Sequence, residues 1–173
     1  MAKIAYLGAG SLGFGPKLIG DMLSYESLQD SDLCLVDPDA DRLATVEGLA
    51  HRLIADAGLQ TRVRAVAELG EALDGADYVI ASIRCGLEAE TLDIRIPLEV
   101  GGLRQSVADT VGVGGVMKAL RTAPPLVKVG REMQRRCPQA LFPVFINCLI
   151  DSTYFGSPSR ARRPDPLTIG EPL

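Results

Sequence analysis

Three glycines and one acid, set at fixed distances near the start of the chain, are the residues best placed to do chemistry. Gly8-Ala9-Gly10-Ser11-Leu12-Gly13 follows the apolar run Lys3-Ile4-Ala5-Tyr6-Leu7, and Asp37 closes a second apolar run, Leu33-Cys34-Leu35-Val36, twenty-four residues beyond Gly13. Each glycine has a physical reason to be there. Gly8 permits a tight turn, Gly10 lets the backbone approach a pyrophosphate, and Gly13 lets the following helix pack on its strand. The helix start then offers N–H groups and a positive dipole end to the phosphates. A carboxylate at the end of the second strand accepts the ribose hydroxyls of an adenosine and repels a 2′-phosphate. The arrangement therefore selects NAD over NADP, with Gly8, Gly10, Ser11, Gly13 and Asp37 as cofactor-binding residues.

The elements that must hold these residues follow from the hydrophobic pattern. Strands are expected at Lys3–Leu7 and Leu33–Val36. A helix covers Asp39–Ala57, with Leu43, Val46, Ala50, Leu53 and Ile54 at helical spacing and Gly58 as its stop. Then come a strand at Thr61–Val66, a short helix at Ala67–Leu73 and a buried strand at Asp77–Ser82. Further elements are a short helix at Glu90–Val100, a helix at Val116–Arg136 that Pro124-Pro125 should kink or split, and a strand at Leu141–Ile146. Alternating β and α elements predict an α/β fold, a doubly wound parallel sheet of the NAD(P)-binding, Rossmann-like kind. Ligands lie beyond the carboxyl ends of such strands, so the turns at Gly8–Gly13, Asp37 and Ser82–Gly86 should converge. The expected organisation is one such domain over residues 1–156 and an irregular tail over 157–173, where four prolines and a basic cluster accompany the loss of periodicity.

Composition narrows the function. The 173-residue chain is 47% hydrophobic with a net charge of −4, and its basic residues are scattered up to Arg160, which speaks against a nucleic-acid partner. It has neither an apolar run of membrane-spanning length nor a signal-peptide pattern at its start, so a cytoplasmic protein without a membrane partner is expected. The four cysteines Cys34, Cys85, Cys137 and Cys148 form no CxxC pair, and reduced, mostly buried thiols are the expectation. His51, the single histidine, lies within a helical run, so the chain offers no obvious metal site of its own.

Several of these motifs together resemble the NAD- and manganese-dependent glycosidases of glycoside hydrolase family four. The resemblance is carried by Lys3–Ser11, by Asp37 with Arg42-Leu43, by Ala76–Ile80 with Ile83-Arg84, and by the block Gly102-Leu103-Arg104-Gln105-Ser106-Val107-Ala108-Asp109-Thr110. After that block come Gly112, Gly114-Gly115-Val116 and Ala119-Leu120-Arg121-Thr122, then Cys137-Pro138 and a strand ending in Asn147. Asp-Thr-x-Gly-x-Gly-Gly looks like the α-galactosidase branch, since the phospho-glycosidase branches usually carry Glu-Thr there. Glu90 stands where those enzymes carry an arginine, which weighs against a phosphorylated substrate.

The resemblance implies hydrolysis of an α-galactoside or α-glucoside by redox-assisted elimination, outside the usual two-carboxylate scheme. NAD⁺ takes hydride from sugar C3, a base removes the C2 proton, the C1 substituent leaves, water adds, and the hydride returns. A divalent metal, usually manganese, polarises the C2 and C3 oxygens. Carried over by resemblance, Ser82 and Arg84 line the nicotinamide side, Asp109 orients or activates a tyrosine base, and Asn147 holds sugar hydroxyls. Arg121 reads as an ion-pairing helix residue. Cys148 follows Asn147 where the family has proline, and the family's metal ligands, acid and tyrosine base fall beyond this sequence. A chain lacking the family's second α/β domain should not hydrolyse glycosides, and uncovered apolar surface could drive homo-oligomers. Two alternatives remain. A lactate/malate-type dehydrogenase needs a catalytic histidine, yet none follows His51; a non-catalytic nucleotide-binding module needs only the glycine turn.

Overall fold

The structure, a computed structural model, describes residues 1–86, 89–104 and 112–144. Asp109, Asn147, Cys148 and the tail from residue 157 lie outside the described residues. Four strands, β1 (Lys3–Leu7), β2 (Asp32–Val36), β3 (Arg62–Ala65) and β4 (Tyr78–Ala81), form a parallel sheet in the order β3-β2-β1-β4. The expected strand at Leu141–Ile146 is present over its described part as two parallel bridges, Tyr78 to Leu141 and Ala81 to Val144. These extend the sheet beyond β4.

Period-two alternation sends neighbouring side chains of each strand to opposite faces, and both faces are covered. Ile4, Tyr6, Leu33, Leu35 and Ile80 pack with Ile19 and Leu23 of helix α1 (Gly15–Leu23) and Leu43, Val46, Ala50 and Ile54 of helix α2 (Ala40–Ala57). Ala5, Leu7, Cys34, Val79 and Ala81 pack on the other face. Their partners are Ala72 and Leu73 of helix α3 (Leu69–Leu73) and Leu126, Val129 and Met133 of helix α5 (Val113–Arg136). The doubly wound architecture is the one expected. Helix α4 (Glu90–Gly101) lies against α5 outside these two cores.

Local signals explain most boundaries. The Asp39 side chain caps α2 by accepting the Arg42 N–H at 3.1 Å, and Gly58 ends the helix in a left-handed conformation. Two boundaries differ from expectation by more than one residue. Helix α3 starts at Leu69 rather than Ala67, and α5 starts at Val113 and runs through Pro124 and Pro125 as one 24-residue helix. The prolines cost backbone hydrogen bonds, but Ala119, Thr122, Leu126, Val129 and Met133 present one continuous buried face across them, and that packing keeps the helix whole.

Candidate cofactor site

The chain runs outward from β1 to β2 and β3, then returns to β4 on the far side of β1. This reversal leaves a crevice beyond the carboxyl ends of β1 and β4, the place where doubly wound sheets take ligands. The glycine turn leaves β1 there, Asp37 leaves β2, and Ser82 leaves β4. Hydrogen bonds draw these turns together. Gly8 N–H donates to the Val36 carbonyl at 2.9 Å, and Ser82 N–H donates to the Leu7 carbonyl at 2.9 Å.

Gly8 occupies a left-handed φ of +81°, and a Cβ there would stand 2.5 Å from the Ser82 carbonyl oxygen. Glycine is thus required twice over, by conformation and by space. Gly10 has a reason that spacing did not reveal. Its N–H donates to Asp37 Oδ2 at 2.9 Å, and a Cβ would fall 2.6 Å from the Asp37 carboxyl carbon. The second Asp37 oxygen accepts the Asp39 N–H at 2.9 Å. Two backbone donors therefore fix the half-buried carboxylate while lone pairs on both oxygens stay open to hydroxyl donors.

The third glycine needs correction. Nothing lies within 4 Å of a Cβ placed on Gly13, so it does not mediate packing of helix on strand. That role belongs to buried Gly15, where a Cβ would meet the Ala9 carbonyl oxygen at 2.6 Å and Val46 Cγ1 at 3.7 Å. Gly13, with Leu12 and Phe14 exposed beside it, forms the open rim of the turn. Ser11 braces the start of α1, its carbonyl accepting the Gly15 N–H at 2.7 Å.

Tyr6 was not singled out by the sequence, yet its buried hydroxyl ties the turns together. It lies 2.9 Å from Ser82 Oγ, which in turn donates to the Gly8 carbonyl at 3.3 Å. Burial pushes the Tyr6 phenol upward and the nearby Asp37 charge adds to this, while the Ser82 bond opposes both. The phenol therefore stays protonated at neutral pH. The stability held in this protonated hydroxyl is complete below the ordinary tyrosine value and is lost as pH rises toward the raised one. Tyr6→Phe is expected to lower unfolding stability by about 1 kcal/mol near neutral pH. It should also flatten the fall in stability above about pH 10, checked by urea unfolding across that range.

Arg84 is exposed at the exit from β4, and Arg121 forms an ion pair with Asp93, as its position on a helix suggested. Cys34 and Cys137 are buried free thiols and Cys85 is a half-buried one. Burial is the largest influence on each and raises its pKa, so none is set up as a nucleophile. Among the described residues no group of three or more His, Cys, Asp or Glu side chains could hold a metal ion. His51 is exposed on α2, and no described helix is long and apolar enough to cross a membrane.

Fold and turn together define a Rossmann-like α/β fold. Residues 3–155 match the Family 4 glycosyl hydrolase model, and the chain belongs to that family. It is 37% identical over 154 residues to an alpha-galactosidase of Rhizobium meliloti, covering 88% of this chain and 31% of the relative. An alpha-galacturonidase of Thermoanaerobacter italicus is 38% identical over 139 residues, covering 80% of this chain and 29% of the relative. The 6-phospho-beta-glucosidase of Thermotoga maritima, solved with manganese, NAD⁺ and glucose-6-phosphate, superposes with a TM-score of 0.75 at 28% identity. That match covers 85% of this chain and 34% of the other. The chain spans about a third of the length of these relatives.

Proposed function

We propose that this chain is the NAD-binding part of a glycosidase that cleaves an α-galactoside or α-glucoside by NAD-dependent redox elimination. The observation that carries the reading is Asp37, held by the amides of Gly10 and Asp39 with lone pairs left over, beside a glycine turn at the crevice of the sheet. Bound there, NAD⁺ would accept a hydride from the sugar and later return it. Gly8, Gly10, Ser11 and Gly13 would shape the pyrophosphate seat at the start of α1, and Asp37 would accept the adenosine ribose hydroxyls. Ser82 and Arg84 would border the nicotinamide. Asp109, orienting a tyrosine base, and Asn147, holding sugar hydroxyls, complete the proposal from positions outside the described residues.

Manganese belongs to the proposal only for a complete enzyme. The described residues bring together no set of His, Cys, Asp or Glu side chains that fits a metal ion. On this reading the chain alone does not turn over a sugar, and its setting is the cytoplasm, where thiols such as Cys34 and Cys137 stay reduced. Self-association belongs to the same proposal, since α4 exposes Leu92, Ile94, Ile96, Leu98 and Val100. A monomer by size-exclusion chromatography would remove that part.

Calorimetric titration with NAD⁺ tests the central claim. Saturable binding is expected, with NADP⁺ at least about tenfold weaker because the Asp37 charge opposes a 2′-phosphate. A flat NAD⁺ titration would remove the cofactor reading. Release of nitrophenol from a nitrophenyl α-galactoside by this chain with NAD⁺ and Mn²⁺ would overturn the expected inactivity.

A further inference from the structure

The exit from β4, helix α4 and helix α5 meet on one cation. Arg121 Nη1 donates to Asp93 Oδ1 at 2.8 Å while Nη2 pairs with Oδ2, a fork-to-fork contact in which the Asp93 side chain is 2% exposed. Among residues 91–101 of α4, only Asp93 and Pro97 are buried, and the apolar side chains of the helix stay exposed. A helix rich in leucine and isoleucine is thus docked by a charge. Burying an ion pair is a poor route to stability, because desolvation offsets most of the Coulomb gain. What a forked guanidinium–carboxylate pair does supply is a fixed distance and rotation.

The same side chain carries the turn that follows β4. Gly86 has a φ of +69°, and a Cβ on it would stand 3.1 Å from both Cδ and Nε of Arg121. Its carbonyl accepts the Ala89 N–H at 2.9 Å, closing the turn that leads to α4. Displacing the guanidinium therefore moves the floor under Cys85-Gly86 and the docking point of α4 together.

We infer that Asp93 and Arg121 are a positioning pair, which sets the Ser82–Gly86 turn at the nicotinamide end of the bound cofactor without touching it. The inference rests on the cofactor reading above and deepens it. NAD⁺ and ADP separate the two ends of the site: both engage the glycine turn and Asp37, but only NAD⁺ reaches the turn after β4.

The test is to titrate both ligands into the wild-type chain and into Arg121→Met, Arg121→Lys, Asp93→Asn and Gly86→Ala, with a thermal melt of each. Arg121→Met is expected to weaken NAD⁺ binding about tenfold and ADP binding less than about twofold, with Arg121→Lys between because an ammonium cannot fork. Should the charge variants fail to fold, Gly86→Ala carries the test. It keeps both charges and presses on the same turn, and it should give the same selective loss. An equal loss for both ligands, or an unchanged ratio of their affinities in folded variants, overturns the positioning role. A wild-type chain that binds neither ligand overturns the cofactor reading itself, and this inference with it.

Discussion

Replacing Asp37 with alanine is expected to weaken NAD⁺ binding by about 30- to 150-fold, the equivalent of about 2–3 kcal/mol for hydrogen bonds to a charged acceptor. The side chain is already oriented by Gly10 and Asp39, so the wild type binds ribose without first ordering a carboxylate. The variant loses both the acceptor and the repulsion directed at a 2′-phosphate. Its preference between NAD⁺ and NADP⁺ should therefore shrink toward unity even as NAD⁺ affinity falls. Folding should survive, because Asp37 is only half-buried and its partner Asp39 is exposed, although the buried Gly10 N–H loses its acceptor, at a cost of about 1–3 kcal/mol. Calorimetry with both nucleotides, beside a melting curve, separates the outcomes. Unchanged NAD⁺ affinity in a folded variant would place the adenosine elsewhere.

The sheet was legible because each strand is a short apolar run bounded by turn residues, and alternation along Ile4-Ala5-Tyr6-Leu7 assigns side chains to two faces. Asp37 was legible for the same reason: a charged residue ends an otherwise buried run. Tyr6 was hidden by that very run. In sequence it is one more core aromatic, and only the turn that follows β4, some 76 residues away, gives its hydroxyl a purpose. The Asp93–Arg121 pair is likewise 28 residues long in sequence and short in space. Pro124-Pro125 misled because local propensity argues for a break, whereas the packed face of α5 overrides it. Asp109 and Asn147 rest on the resemblance and lie outside the described residues.

The glycine turn offers the sharpest contrast between motif and structure. Spacing assigns helix packing to Gly13, yet the close approach is made two residues later. Gly15→Ala is expected to destabilise the fold by about 2–3 kcal/mol, since its methyl would overlap the Ala9 carbonyl and backbone must move to admit it. Gly13→Ala is expected to stay within about 0.5 kcal/mol of wild type, because the space around it is open and an exposed alanine restricts the unfolded chain slightly. The two should differ in binding as well. Moving the backbone at Ala9 shifts Gly8 and Gly10, and through Gly10 the Asp37 carboxylate, so Gly15→Ala should lose NAD⁺ along with stability. Gly13→Ala tests the rim alone: weakened NAD⁺ binding at full stability is expected if the pyrophosphate passes over it. Urea unfolding midpoints of the pair decide the packing role. A Gly13 variant destabilised as much as the Gly15 one would return that role to the third glycine of the motif.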